Sequence, residues 1–287
     1  MKILVTGANG QLASEIQAVA LKYNEFDLLF KTKKELNIGN ANAVEEIVTS
    51  HKIDAIINTA AYTNVEQAED EEEKALKINA EAVKNLAEIA KKHQLKLVHI
   101  STDYVFDGAE KRPYVETDFK HPLNVYGSSK ANGEEALLKV NPPNAIIIRT
   151  SWLYSSFGNN FVKTMVRLLT SKKRITVIAD QTGAPTYARD LANVILSILP
   201  KIDSSSTEIY NYSNSGSCTW YLFATKIKSL LQSTCQIETT TSEAYKTKAE
   251  RPKYSVLNTQ KIKETFHLEI PLWENSLEKC IYKIKHK

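Results

Sequence analysis

The chain has 287 residues, of which 43% are hydrophobic and 24% charged, and its formal net charge is +4. This composition is typical of a soluble globular protein with a sizeable core. A membrane-spanning helix needs about 18 consecutive apolar residues, and no apolar run in the chain is that long. The three cysteines are far apart and lack CxxC spacing, which argues against a disulfide framework or a zinc site and indicates a cytoplasmic protein. The basic residues are mostly dispersed lysines, so nucleic-acid binding is not expected.

Apolar segments rich in β-branched residues alternate with amphipathic segments over the first half of the chain. Strands are predicted at Lys2–Thr6, Phe26–Phe30, 53–60, 95–101 and 144–152. Helices are predicted at Gln11–Lys22, at 41–50 after a cap by Asn40, at Glu71–His93 and at 124–140. Strands that are apolar throughout and alternate with helices predict an α/β fold with a doubly wound parallel sheet of the Rossmann type.

After Trp152 this alternation becomes irregular, and 203–208 is typical of a loop. Further helices are predicted at Phe161–Leu169, Leu191–Leu199 and Trp220–Leu231. We therefore expect a dinucleotide-binding part at 1–150, with added elements from about 172–200. The remainder, 151–287, is expected to be a smaller, mainly substrate-binding part that covers the carboxyl ends of the strands.

A glycine motif, TGANGQLASE, follows the first predicted strand and opens the first helix. Gly7 and Gly10 permit a tight turn and a close approach of the backbone to a pyrophosphate at the helix N-terminus. The pattern is GxxGxxA, with Ala13 in place of a third glycine. Ala60 and Ala61 are small residues at the end of the third strand, where a flat dinucleotide could lie. The alternative is a strand-to-helix turn and plain packing, without a ligand.

Two further segments carry groups suited to carbonyl chemistry. Thr102 and Asp103 follow the fourth strand, and Tyr126 and Lys130 lie one helical turn apart. Because the carboxyl ends of parallel strands meet in one crevice, we expect these groups to converge there. A nicotinamide-linked carbonyl reduction needs a proton donor, and a lysine cation beside a tyrosine should lower the phenol pKa from about 10. The alternative is a tyrosine packed over a lysine stem.

Several motifs give the sequence a family resemblance along nearly its whole length. They are TGANGQL from Thr6, AAYTNVEQAE from Ala60, STDYVFDG from Ser101, PLNVYGSSK from Pro122, RTSWLY from Arg149, GNNFVKTM from Gly158, DQTGAPTYARDLA from Asp180 and RPKYSVLNTQK from Arg251. The chain resembles the extended short-chain dehydrogenases/reductases. Its later motifs are similar to the branch that reduces keto-sugars carried on dTDP.

The resemblance implies a function and a set of site residues. The function is NADPH-dependent reduction of the 4-keto group of a dTDP-linked deoxysugar, dTDP-4-dehydro-L-rhamnose to dTDP-L-rhamnose, with a tyrosine as general acid. Thr102, Tyr126 and Lys130 would be the catalytic residues, and Thr102, Asp103, Trp152 and Arg251 the substrate-binding residues. Arg251 would lie near the nucleotide diphosphate. Trp152 can instead be read as a core aromatic residue and Arg251 as a surface cation.

The resemblance also implies which residues bind the dinucleotide. They are Gly7, Gly10, Gln11, Leu12, Lys31, Asn37, Ile38, Ala60, Ala61 and Tyr62, together with Tyr126 and Lys130. Lys31 ends the second strand, where NAD-preferring members often carry an acidic residue that accepts from the ribose 2′-OH. We therefore expect a modest preference for NADPH, with NADH also accepted; the alternative is a solvated lysine-rich turn. Asn37 stands where the family usually has Asp.

Metal binding and association remain open from the sequence. Some family members are magnesium-dependent dimers held by clustered glutamates, and Glu15 fits such a cluster. Arg189 lies where another acidic residue would be expected, so no metal is assigned and magnesium is left unresolved. A homodimer is an open expectation, whereas a membrane or nucleic-acid partner is not expected.

Two other functions remain as alternatives. One is a nucleotide-sugar epimerase or dehydratase on the same scaffold, although Asp103 is followed by Tyr104 rather than by the Glu that such dehydratases carry. The other is a non-enzymatic regulatory subunit of methionine adenosyltransferase, which would bind the dinucleotide and a partner chain. NADPH turnover with dTDP-4-keto-sugars distinguishes these readings.

Overall fold

The computed structural model describes residues 1–286. Lys287, the last residue of the predicted C-terminal part, lies outside the described residues. Up to residue 150 the elements are β1 (Lys2–Thr6), α1 (Gln11–Val19), β2 (Asp27–Lys31), α2 (Ala41–Ser50), β3 (Ala55–Asn58), α3 (Val65–Ala68), α4 (Glu72–Leu76), α5 (Ala82–His93), β4 (Lys96–Thr102), α6 (Val125–Val140) and β5 (Ala145–Thr150). The five strands predicted in this half are confirmed.

Between residues 151 and 286 four of the seven strands have only two residues, and helices form most of the regular secondary structure. These elements are β6 (Leu153–Tyr154), α7 (Phe161–Ser171), β7 (Arg174–Ile178), β8 (Thr182–Gly183), β9 (Thr186–Tyr187), α8 (Ala188–Ile198), β10 (Glu208–Tyr212), β11 (Cys218–Thr219), α9 (Trp220–Leu231), β12 (Gln236–Thr240), α10 (Gln260–Phe266) and α11 (Trp273–Lys285). The three helices predicted in this half are confirmed, with small differences at their ends.

Asparagine caps fix the start of two helices that matter for the site. The Asn40 side chain accepts from the backbone N–H of Ala43 at 3.2 Å, which confirms the predicted start of α2. The Asn124 side chain accepts from the N–H of Gly127 at 2.7 Å and so fixes the first turn of α6. These caps satisfy N–H groups that have no partner within the helix.

The central sheet has six parallel strands in the order β10-β5-β4-β3-β1-β2. The chain leaves β1 towards β2 on one side and returns to β3 on the other, so the direction of winding reverses beside β1. In such sheets the ligand crevice lies outside the carboxyl ends of the strands at this reversal. The predicted doubly wound parallel sheet is therefore confirmed.

Helices cover both faces of the sheet, as parallel strands buried on both faces require. One apolar cluster joins Ile3 and Val5 of β1 to α1, α8 and α10. The other joins Leu4 of β1 to α2, α5 and α6. Alternate residues of β1 therefore face opposite layers, and none of these three is exposed.

The sixth strand, β10, was not predicted. It pairs with β5 in parallel register from Glu208 to Tyr212. These residues lie outside the predicted dinucleotide-binding part, 1–150, and outside the added elements predicted at 172–200. The loop predicted at 203–208 ends where this strand begins. Its sequence EIYNY mixes polar and aromatic residues and lacks the β-branched run that marked the other strands. The division of the chain into two functional parts stays a prediction.

The helix predicted at Glu71–His93 contains a π-helical segment at Lys77–Glu81 between α4 and α5. Such widened turns often occur at functional sites. Here α6 approaches closely, because a methyl group at Gly133 would lie 2.0 Å from the carbonyl oxygen of Asn79. The Asn79 side chain bonds to both backbone groups of Tyr62 and donates to Ser129 Oγ, so this segment ties the end of β3 to α6.

The residues after 150 form a third apolar cluster in which Tyr154, Phe223 and Trp273 are packed together. Within residues 1–286, every helix is too short or too polar to cross a lipid bilayer.

Candidate active site

A cleft of about 440 Å³ opens at the carboxyl ends of the strands beside the winding reversal. It is lined by the glycine loop, by the ends of β3, β4 and β5, by α6 and by the start of α9. The predicted residues that it brings together are Gly10, Gln11, Leu12, Ala61, Thr102, Asp103, Tyr126, Lys130 and Trp152.

The glycine loop is shaped for close contact. Gly7 has φ +71°, and a methyl group there would lie 2.8 Å from the backbone nitrogen of Ala60. Gly10 donates to the Gly7 carbonyl at 2.8 Å and precedes α1 without a side-chain cap. The first N–H groups of α1 therefore face the cleft, and they suit a phosphate because the helix N-terminus is positive.

Four further residues predicted to bind the dinucleotide do not line the cleft: Lys31 ends β2, Asn37 and Ile38 lie in the loop after it, and Tyr62 follows β3. The Lys31 carbonyl accepts from Ala8 N, which ties β2 to the glycine loop. Asn37 Oδ1 accepts from Gly39 N at 3.1 Å, and Ile38 is buried. The Tyr62 hydroxyl donates to Glu71 Oε2 at 3.0 Å. Their contact with a dinucleotide stays a prediction.

Lys130 is fully buried on α6, with 1% of its surface exposed. Its Nζ donates to the Ile100 carbonyl at 2.7 Å and lies 3.2 Å from His99 Nε2. Burial lowers the pKa of Lys130 to about 8, and the charge of Glu134 one turn later opposes this effect. Glu134 is itself held by Arg149, whose Nη2 donates to Oε2 at 2.7 Å.

Tyr126 differs from the prediction in its acidity. Burial raises the pKa of Tyr126 to about 12, the charge of Asp103 adds to the effect, and only a hydrogen bond with Thr102 opposes it. The prediction that Lys130 lowers the pKa of Tyr126 is therefore wrong for the protein alone. In this structure the lysine ammonium turns towards His99 and the Ile100 carbonyl. Tyr126 is accordingly a protonated phenol, which is the form that donates a proton.

Asp103 is a buried carboxylic acid directly after β4. Its burial raises the pKa to about 7, although hydrogen bonds with Ser255 and Thr102 partly oppose the effect. Thr102 Oγ1 donates to Asp103 Oδ1 at 3.1 Å and accepts from Tyr104 N at 3.2 Å. Two groups beside Tyr126 can therefore contact a carbonyl oxygen, and one of them titrates near neutral pH.

Trp152 lies at the mouth of the cleft in a strained conformation, with φ +46°. Its ring stacks on Trp220 with 3.4 Å between centroids and 6° between planes. A methyl group at Gly183 would lie 2.5 Å from the Trp152 ring, so a larger residue there would displace it. The Trp220 indole donates to Gln181 Oε1 at 3.1 Å. Trp152 is thus both packed and part of the cleft wall.

Arg251 lines a second, neighbouring cavity of about 800 Å³. Its Nη2 donates to Glu66 Oε1 at 2.5 Å. Lys246, Lys248 and Lys253 line the same cavity together with Asp107, Glu243 and Glu250, so that both signs of charge are present. Of these groups, the planar Arg251 guanidinium is the one whose geometry suits a phosphate or carboxylate.

Some residues of the cleft, and one buried behind it, were not predicted. Trp220 begins α9 and carried no signal except an aromatic residue at a helix start. His99 faces Lys130 from within β4, where a lone histidine in an apolar strand gave no indication of its neighbour. Asn159, Gly158 and Ser151 also line the cleft.

The residues that raised the question of magnesium form an ion pair instead. Glu15 is fully buried; Arg189 Nη1 donates to its Oε2 at 3.2 Å and Ser155 Oγ to its Oε1 at 2.7 Å. Among residues 1–286 no group of three or more His, Cys, Asp or Glu residues could hold a metal ion.

Comparison with known proteins gives the family. Residues 1–286 match the family described as the RmlD substrate binding domain. The chain belongs to the RmlD family. It is 40% identical over 286 residues to a dTDP-4-dehydrorhamnose reductase of Aggregatibacter actinomycetemcomitans, with 96% of this chain and 97% of that protein covered. It is 37% identical to the Escherichia coli (strain K12) protein of the same name, with 98% and 97% covered.

Solved structures of RmlD relatives agree with the fold. A Bacillus anthracis dTDP-4-dehydrorhamnose reductase in complex with NADP has a TM-score of 0.93 and 39% identity, covering 98% of this chain and 99% of that one. A dTDP-glucose 4,6-dehydratase from the same organism shares the fold at 21% identity and TM-score 0.84. The family resemblance predicted from the motifs is confirmed, and this RmlD-family chain is an oxidoreductase.

Proposed function

We propose that the protein reduces the 4-keto group of a dTDP-linked 6-deoxysugar with NADPH, converting dTDP-4-dehydro-L-rhamnose to dTDP-L-rhamnose. The observation that carries this proposal is the convergence of Thr102, Tyr126 and Lys130 in one cleft beside the glycine loop. The relative whose structure contains NADP, and the relatives named dTDP-4-dehydrorhamnose reductase, support the choice of cofactor and substrate.

The residues of the cleft have distinct roles in this proposal. NADPH, when bound, supplies a hydride to the sugar carbonyl carbon. Tyr126 donates its phenolic proton to the carbonyl oxygen, and its raised pKa keeps that proton in place until charge develops there. The Thr102 hydroxyl holds the same oxygen. Lys130, as an ammonium, stabilises the phenolate left behind and holds the ribose of the cofactor.

Binding of the cofactor follows from the glycine loop. Gly7 and Gly10 leave room for the pyrophosphate, which the first N–H groups of α1 would hold. At the other end, Lys31 stands where an acidic residue would repel a 2′-phosphate, which supports NADPH over NADH. The preference is modest, because an exposed ion pair contributes only about 0–1 kcal/mol.

The substrate would span the two cavities. Trp152 would contact the sugar ring, and Arg251 with the lysines of the neighbouring cavity would bind the diphosphate. A bound diphosphate would compete with Glu66 for the Arg251 guanidinium. Arginine suits phosphate because its planar fork donates two parallel hydrogen bonds.

Relatives with other names keep a second substrate open. The chain is 34% identical over 275 residues to a dTDP-4-keto-6-deoxy-D-glucose reductase of Streptomyces niveus, with 96% of this chain and 94% of that protein covered. A different 4-keto sugar on dTDP is therefore the second candidate. The epimerase or dehydratase and the regulatory-subunit alternatives both predict little net NADPH oxidation.

NADPH oxidation by the purified protein against a panel of dTDP-4-keto-sugars tests the proposal. We expect turnover that depends on the sugar, and Tyr126→Phe should lower it by about 10²–10⁴ while NADPH still binds. Thr207→Val is a suitable folding control, because the buried Thr207 hydroxyl donates to the Pro142 carbonyl at 3.2 Å and Thr207 does not line the cleft. Absence of turnover with every sugar would contradict the proposal. Co-purification with methionine adenosyltransferase would then favour the regulatory alternative.

A further inference from the structure

A row of polar side chains crosses the interior of the sheet and ends at Lys130. Thr6 on β1 pairs in register with Asn58 on β3, and Asn58 with His99 on β4. Two residues earlier the same strands place Leu4, Ile56 and Leu97 in register, all apolar and buried. The change to a polar row occurs where the sheet meets the Lys130 ammonium.

The row is a continuous hydrogen-bonded chain. Thr6 Oγ1 lies 2.6 Å from Asn58 Oδ1, and Asn58 Nδ2 lies 3.0 Å from His99 Nδ1. His99 Nε2 lies 3.2 Å from Lys130 Nζ. Each of the four side chains has 1% of its surface exposed. An unpaired polar group here would be costly, so the direction of each hydrogen bond matters.

The orientation of the Asn58 amide decides what His99 can offer to Lys130. With Nδ2 facing His99, the amide donates to Nδ1, so the imidazole proton lies on Nε2 and points at Lys130. Only a neutral amine could accept that proton. With the amide turned over, Oδ1 accepts from Nδ1–H, and Nε2 accepts from a lysine ammonium. The two amide orientations occupy the same space, because the amide oxygen and nitrogen are of similar size, and the hydrogen-bond partners distinguish them.

His99 is neutral in either arrangement. Burial and the charge of Lys130 hold the pKa of His99 well below its usual range. The charged group that acts on Lys130 from α6 is Glu134, which is paired with Arg149 from β5 and lies 3.7 Å from Lys120 Nζ. Tyr126 and Asp103 share the cleft with Lys130. On the strand side Lys130 Nζ also donates to the Ile100 carbonyl at 2.7 Å, so the imidazole is the second acceptor that β4 can offer to it.

We propose that His99 is a positioning residue: in its Nδ1–H form, oriented by the Asn58 amide oxygen, it accepts from the Lys130 ammonium and keeps that lysine charged in the cleft. This form has the Asn58 amide turned over relative to its placement in the structure, so that Nδ2 donates to Thr6 Oγ1. Thr6 directly precedes Gly7 and so links the chain to the glycine loop. The consequence for catalysis rests on the proposed function, in which the Lys130 cation serves Tyr126 and the cofactor. The hydrogen-bond chain itself requires no substrate.

The Lys130 titration tests this inference directly. Lysine labelled with ¹³C at Cε is followed by NMR as pH is raised through the Lys130 pKa of about 8, and Lys130→Met identifies the signal. His99→Leu should lower the pKa of Lys130 by about one to two pH units, because a hydrogen bond to a charged group is lost. His99→Gln, whose side-chain oxygen can accept, should restore most of the difference.

A substitution at Asn58 should shift the pKa of Lys130 in the opposite direction, upwards. Asn58→Asp presents only acceptors to His99, which fixes the Nδ1–H form, and it adds a negative charge to the buried row; both effects should raise the pKa of Lys130. Thr207→Val is the matched control: it removes a buried hydroxyl whose Oγ1 donates to the Pro142 carbonyl at 3.2 Å, just before β10 and outside the hydrogen bonds of Lys130, Glu134 and Arg149. It should leave the Lys130 titration unchanged. If His99→Leu does not fold, the ¹⁵N NMR spectrum of the wild-type imidazole still decides which tautomer is present, and an Nε2–H form contradicts the inference.

Activity provides the second measurement. The alkaline limb of kcat/KM should move to lower pH in His99→Leu and to higher pH in Asn58→Asp, in parallel with the NMR titrations. ¹⁵N NMR of the imidazole should show a neutral Nδ1–H form in the wild-type protein. A neutral Nε2–H form, or a Lys130 titration that His99→Leu leaves unchanged, would overturn the inference. If NADPH is not oxidised with any keto-sugar while the titrations move as expected, the proposed function fails and this inference stands.

Discussion

Asp103→Asn should stabilise the protein at alkaline pH and have little effect at acidic pH. Burial raises the pKa of Asp103 from 3.8 to about 7 in the folded protein. The folded state therefore binds more protons than the unfolded state between these values, so stability falls as pH rises through that window. A neutral amide of the same shape removes this effect, and its oxygen can still accept from Thr102.

The magnitude follows from the width of the window. About three pH units, each equivalent to about 1.4 kcal/mol, give an upper limit of ~4 kcal/mol for the gain at pH 8. Because a domain of this size shifts its Tm by roughly 2–4 °C per kcal/mol, the change is measurable by thermal melting. Urea unfolding at pH 4, 6 and 8 gives the free energies of unfolding directly.

Asp107→Asn is the matched control of opposite sign. Hydrogen bonds from the Ala109 backbone and the His121 side chain lower the pKa of Asp107, so its contribution to stability is present above the unfolded pKa and lost as pH falls. Asp107→Asn should therefore destabilise the protein at neutral pH and approach wild type in acid. A stability difference for Asp103→Asn that does not grow between pH 4 and pH 8 would refute the reasoning.

Three further predictions concern turnover. Tyr126→Phe should retain NADPH binding and lower kcat by about 10²–10⁴, because the ring remains and the proton donor is lost; a kcat within threefold of wild type would refute its role. Trp152→Ala should raise KM for the nucleotide sugar by about twofold to tenfold with little change in NADPH affinity, since an aromatic contact contributes about 0.5–1.5 kcal/mol; insoluble protein would instead point to a core role. Lys31→Asp should shift the kcat/KM ratio towards NADH by about fivefold or more at low salt, and a wild-type preference for NADH would contradict the expectation.

The fold could be predicted from the sequence where local signals and tertiary structure agree. The strands β1 and β5 are continuous apolar runs that both layers of helices bury, and the Asn40 cap marked the start of α2. β10 was missed because its sequence has no apolar pattern that marks a strand. It is a strand because it pairs with β5 at the edge of the sheet, and that pairing is not visible in the local sequence. The π-helical segment at Lys77–Glu81 depends on the close approach of α6, which no local pattern encodes.

The site features also separate into those that local sequence signals predict and those that depend on the tertiary structure. Tyr126 and Lys130 were found because residues one helical turn apart must share a face. The acidity of Tyr126 was predicted in the wrong direction, because the cost of burial depends on the surrounding fold and not on the spacing. His99 and Trp220 were missed because their partners, Lys130 and Trp152, lie far from them in sequence.

Transfer of a labelled hydride tests the central claim most directly. The protein is incubated with dTDP-4-dehydro-L-rhamnose and NADPH that carries deuterium at the transferable C4 position, and the product is examined by NMR. The proposed function predicts dTDP-L-rhamnose with deuterium at C4 of the sugar, at a rate that Tyr126→Phe reduces by about 10² or more. Recovery of the keto-sugar unchanged, or a product without deuterium at that carbon, would contradict the account.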